Sequence, residues 1–193
     1  MLCDTSASFD LLIQVHMVVW AVACVGAFCV YYSYDECRAN PEFENQMRCL
    51  SGVIVFNKPL FGTLMCGFGG AVVLAVAKRA TETCDTATLA LLMVMFLCLL
   101  VVVVYDIRDH STVHFWALGG LVIAGTLFVL HTASAPVLLQ YAYLAITALF
   151  AGVVAFNAAV TNWTPPCMTV QALNEIAWVF FLCLYVFVYA LSA

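Results

Sequence analysis

The sequence predicts an all-α fold: a polytopic membrane protein, folded as a six-transmembrane-helix bundle with short loops. Three observations carry this. Of 193 residues, 66% are hydrophobic and only 9% charged, whereas soluble domains run near roughly 45–50% apolar and about 25% charged. Six apolar stretches approach or exceed the ~20 residues a helix needs to cross the hydrocarbon core. Those stretches are continuous, without the alternation of β-barrel strands, the other structure that satisfies every backbone group in lipid. Such hydrophobicity excludes disorder. A net charge of −5 from six Lys+Arg and eleven Asp+Glu excludes a nucleic-acid partner. The partner that remains is the lipid bilayer.

Residues 1–193 read as one domain, with spans at 11–32, 58–77, 87–105, 113–130, 137–161 and 169–191. The first run is of spanning length and lacks a cationic leader, so it reads as a retained signal anchor and not a cleaved peptide. The segment 33–57 is the long first outer loop and carries a concentration of charge. The second span closes on Lys78-Arg79, and the third carries Val101–Val104 and ends before Asp106. The remaining connections are short, as antiparallel neighbours require.

Orientation rests on opposing signals. Arg38, Arg48 and Arg108 in the odd loops, set against Lys78 and Arg79 in the second, point the termini outward by the positive-inside rule. Cys37 and Cys49 share the first loop, as a lumenal or extracellular disulfide would. Asn162-Trp163-Thr164 is a glycosylation sequon in the fifth loop. The chemical signals favour cytosolic termini.

Ten cysteines include no C-x-x-C and no zinc spacing, so no metal and no cofactor are expected. Cys24, Cys29, Cys66, Cys98 and Cys183 fall inside spans, where a thiol packs as a small hydrophobe. Cys3 and Cys84 stand at the cytosolic edge, within reach of palmitoylation. Gly62, Cys66 and Gly70 form a helix-packing stripe on the second span, and Ala148 with Gly152 repeats it on the fifth. Such stripes serve packing within the bundle or, alternatively, a homodimer or membrane-protein partner.

Ionisable groups inside spans cost on the order of a few kcal/mol each, so each asks for a reason. Lys58, His114, Asn157 and Glu175 fall in one leaflet, on the side of the long loop. They read as a polar intramembrane cluster, with Glu175 as anion and Lys58 or His114 as its partner. A structural ion pair and a ligand pocket both stay open. His16 reads as a neutral, hydrogen-bonded histidine; His110 and His131 lie at helix ends, where histidine calls for no partner. The chain has no G-x-S-x-G, no H-E-x-x-H and no phosphate loop, so no catalytic residue is assigned.

Local patterns add a resemblance. Asn40-Pro41 with Cys49-Leu50-Ser51 stands in the long loop. Thr112-Val113-His114-Phe115-Trp116-Ala117-Leu118-Gly119-Gly120, then Phe128, opens the fourth span. Asn174-Glu175-Ile176-Ala177-Trp178, with Phe180 and Phe181, sets an acidic residue before aromatics in the last. Together these resemble the six-helix DRAM/Frag/Sfk family of autophagy modulators and Golgi proteins of GPI-anchor lipid remodelling. The chain departs from that pattern in the spacing of Glu175 from Trp178, and it lacks a Pro-x-Ile-Ser element. The resemblance implies a lumen-facing first loop, residence in Golgi, lysosome or plasma membrane, and a non-catalytic modulator or adaptor. Transport of a small molecule or lipid, and lipid modification with His114 and Glu175 as base and partner, are the alternatives.

Overall fold

The computed structural model describes residues 4–33, 58–105, 110–132, 136–156, 159 and 165–191. Almost all of these lie in six helices: α1 (Asp4–Ser33), α2 (Lys58–Glu82), α3 (Thr86–Val104), α4 (Ser111–His131), α5 (Val137–Phe156) and α6 (Pro165–Leu191). No strand occurs among the described residues. Helices α2 to α5 are long and apolar enough to cross a membrane, and the chain is an integral membrane protein. Helices α1 and α6 are 30 and 27 residues long, with apolar portions at Leu11–Ala27 and Leu173–Tyr189 among the described residues. The long first loop lies outside the described residues, as does the end of the fifth predicted span.

The α2–α3 junction shows how local chemistry sets the antiparallel course. Asp85 N–H donates to the Ala80 carbonyl at 2.9 Å and Cys84 N–H to that of Thr81 at 3.4 Å. This is the Schellman pattern that closes a helix through a left-handed residue, usually glycine. Here Cys84 takes that place, at φ 56°. The next residue, Asp85, caps α3 by accepting from Thr88 N–H at 3.0 Å and Thr88 Oγ1 at 2.6 Å. Two adjacent residues thus end one helix and start the next.

Close contacts fix the neighbours. Trp20 on α1 lies over Gly67 of α2, so near that a Cβ at Gly67 would sit 2.6 Å from the indole. Cys24 Sγ donates to the Leu64 carbonyl at 3.5 Å. These pairings run in opposite senses along the two helices, so α1 and α2 are antiparallel. On α3's side of α2, Gly62 faces Val103 and Gly69 faces Phe96 and Leu99. Gly120 of α4 faces Cys98 of α3, and Gly125 of α4 faces Tyr143 of α5 and Leu182 of α6. Glycines let helices approach where lipid tails are as apolar as the neighbour and no hydrophobic force acts between helices.

Helix α6 supplies the centre. Its buried residues Glu175, Trp178, Leu182, Tyr185 and Tyr189 recur at spacings of three and four, one continuous face of a helix. Trp178 stacks on Phe150 of α5 with centroids 5.4 Å apart. Phe128 of α4 meets Tyr185 and Tyr189 edge-on at 6.3 and 5.4 Å. Trp178, Tyr143, Tyr185 and Phe128 are fully buried. The outward faces carry exposed Leu, Val and Ile, among them Leu11, Val15, Val22, Val94, Ile123 and Leu138, as a lipid-facing surface requires.

Candidate functional site

The antiparallel alternation puts Lys58, His114 and Glu175 towards one end of the bundle, on α2, α4 and α6. Lys58 is half-buried at the first position of α2, while His114 and Glu175 are 1% and 5% exposed. His114 has a defined task. Its Nδ1 lies 2.9 Å from the Tyr105 carbonyl, one of the groups that the end of α3 leaves without an intrahelical donor. A carbonyl only accepts, so Nδ1 carries the proton and donates. Asn157, Asn162, Cys37 and Cys49 lie outside the described residues. Cys24, Cys66, Cys84, Cys98 and Cys183 are free thiols.

Of the stripe on α2, Gly62 packs on Val103, Cys66 is partly buried, and Gly70 has open space around it. The seam towards α3 runs through Gly62 of the stripe together with Gly69, and the seam towards α1 through Gly67, outside the stripe. Ala148 and Gly152 face outward, and nothing stands within 4 Å of a Cβ at Gly152. His16 accepts from the Trp20 indole N–H at 2.9 Å, one turn away on its own helix.

The opposite end of the bundle holds the denser polar assembly, which sequence reasoning missed. His131 Nε2 lies 3.1 Å from Asp85 Oδ1, so a histidine read as needing no partner ties the end of α4 to the cap of α3. The two Thr88 hydrogen bonds, with His131 adding to them, hold the Asp85 carboxyl down to about 2. The Tyr185 hydroxyl sits 2.6 Å from the Thr132 carbonyl, 3.1 Å from that of Val129 and 3.2 Å from Thr132 Oγ1. Gln140 Nε2 donates to Val129 O at 2.9 Å. Arg79 lies 4.1 Å over the Tyr189 ring and donates through Nη1 to the Tyr189 carbonyl. Lys78 pairs with Glu82 at 3.6 Å.

One logic covers both ends. The last carbonyls of α3, α4 and α6 are met by His114, by Tyr185 and Gln140, and by Arg79. A buried carbonyl left unmet is costly. For His114, Gln140 and Arg79 the signal in the sequence was a polar residue within a turn of a span's end, with no marker of which neighbouring helix it would serve; Tyr185 lies deeper and carried no such signal. Among the described residues no group of three or more His, Cys, Asp or Glu could hold a metal ion. Compared with known proteins, the chain matches no family model, no curated protein and no solved structure.

Proposed function

We propose that this chain is a non-catalytic, multi-pass modulator or adaptor of an endomembrane or lipid process, in the manner of the DRAM/Frag/Sfk family it resembles in sequence. In this reading all six helices span, the termini are cytosolic, and the first loop faces a lumen. The observation that carries it is the character of the interior. Fully buried rings of Phe128, Tyr143, Trp178 and Tyr185 fill the centre, and the polar groups near the ends are engaged with helix-end carbonyls. A modulator works through its outer faces and bound lipid, and needs neither a passage nor a reacting group.

Two experiments test this together. Purified protein in liposomes should neither move solutes nor change the lipid composition. Expression in cells should alter autophagic flux or the lipid remodelling of GPI-anchored proteins. A lipid product that depends on His114 and Glu175 would replace the reading with an enzyme. Glu175, a carboxyl nearly three turns inside α6 and 5% exposed, favours a second reading, a small-molecule or lipid transporter. Solute uptake by the liposomes that Glu175→Gln abolishes would establish it.

A further inference from the structure

His16 and Trp20 make a polar pair on the outer side of α1. An indole N–H can only donate, so the imidazole Nε2 that receives it at 2.9 Å carries no proton. The proton of the neutral ring therefore sits on Nδ1. Trp20 lies over Gly67 of α2, and the two rings meet edge-on with centroids 6.0 Å apart. The imidazole is thus held beside the α1–α2 seam, and turning it breaks the indole bond. His16 itself is exposed, and no described residue accepts from its Nδ1.

The position of this donor narrows what can accept from it. The apolar portion of α1 begins at Leu11, which puts His16 about 7–8 Å inside it at a rise of about 1.5 Å per residue. Side chains on a helix lean toward its amino end. Nδ1 also diverges from Nε2, which faces Trp20 one turn toward the carboxyl end. The proton is therefore directed back toward the near boundary of the apolar zone. Leu12 and Val19, four residues before and three after, share this side of α1, and both are exposed. Helices in a membrane approach one another through small residues. These are bulky, and a flexible acyl chain fits over them better than a rigid helix. A donor unmet in lipid is costly, and the acceptor found where acyl chains begin is the ester carbonyl that joins them to glycerol.

We infer that His16, positioned by Trp20, is a binding site for a diacyl phospholipid: Nδ1–H donates to an ester carbonyl, and the acyl chain continues over Val19 toward the bilayer centre. The inference rests on the reading above in which α1 spans the bilayer. It gives that reading a definite bound lipid, held at the α1–α2 seam.

The test places the intact protein, labelled with nitrogen-15 histidine, in bilayers of dioleoylphosphatidylcholine carrying carbon-13 at the ester carbonyls. The His16 resonances are assigned by their loss in His16→Leu. Nε2 should resonate as a bare ring nitrogen, and Nδ1 as a protonated one with a cross-peak to the lipid carbonyl. In bilayers of the diether analogue, which has no ester carbonyl, the Nδ1 proton should lose its hydrogen-bonded shift. Gln14→Leu removes an exposed amide two residues away, off the His16 side of α1, and should leave the cross-peak in place. The same Nδ1 proton shift in both lipids overturns the inference. So does a bond to a protein oxygen, which would mark a second copy on this face. Valine labelling in the same sample separates failure of the site from failure of the spanning helix. Contacts of Val19 and Val22 with acyl methylenes keep α1 in the bilayer whether or not His16 holds lipid. Their absence, with the His16 proton bonded to water, overturns the spanning reading and the site together.

Discussion

Gly67 and Gly70 are three residues apart on α2, yet the surroundings predict opposite outcomes for the same substitution. Gly67→Ala drives a methyl into the Trp20 ring, an overpacking that costs typically about 1–3 kcal/mol. Gly70→Ala meets open space and gains up to about 1 kcal/mol of helix propensity. Thermal melting in a mild detergent should lower the first variant and leave the second level or raised. Cys84→Gly should also raise the melting point, by relieving a left-handed residue that carries a Cβ at a cost of about 1–2 kcal/mol. Asp85 adds a pH dependence. Its folded carboxyl titrates near 2, below the ordinary value of 3.8, so its contribution is complete above the ordinary value and lost as pH falls toward 2. Asp85→Asn keeps a capping residue but removes this titration, and its stability should change less than that of the parent between pH 4 and 2.

At the scale of the helix, the recurring device is a side chain of one element closing the carbonyl end of another. Tyr185→Phe removes the hydroxyl that serves Thr132 and Val129 at the end of α4. Leaving buried carbonyls under-served should cost on the order of 1–3 kcal/mol. Hydrogen exchange should show the last turn of α4 opening first. The existence of the helices was legible in the sequence, because long apolar runs leave no other way to satisfy a backbone in lipid. Their contacting faces were not. In water a helix shows its inner side by hydrophobic periodicity, but here lipid and neighbour are equally apolar and the contrast vanishes. Gly67 was passed over for Gly62, Cys66 and Gly70 for that reason, since small residues at regular spacing look alike until a partner such as Trp20 is placed on one of them. His114 and Glu175 stood out because a charge-bearing group in an apolar run is conspicuous. Tyr143 and Tyr185 did not, because a hydroxyl on an aromatic ring is compatible with either face.

For the molecule as a whole, stability is distributed unevenly. The buried rings lie on α4, α5 and α6, and the clamps tie α4 to α3, α5 and α6 to α4, and α2 to α6, while α5 is the least buried of the four helices long enough to cross. Glu175→Gln probes the interior directly. If the carboxyl serves register, expression of folded protein should drop several-fold, read as the monodisperse fraction after extraction. Helix α1 stands apart again. Its inward residues, Met17 and Trp20 among them, lie against α2, and Leu11, Val15, Val18, Val22 and Val25 face away. That arrangement gives the chain a mechanical order. Drawn out of a bilayer from its amino end by a cantilever, α1 should unzip as a separate early event at low force. The remaining helices should then yield together in a larger step, and Gly67→Ala should erase the first force peak while leaving the second in place.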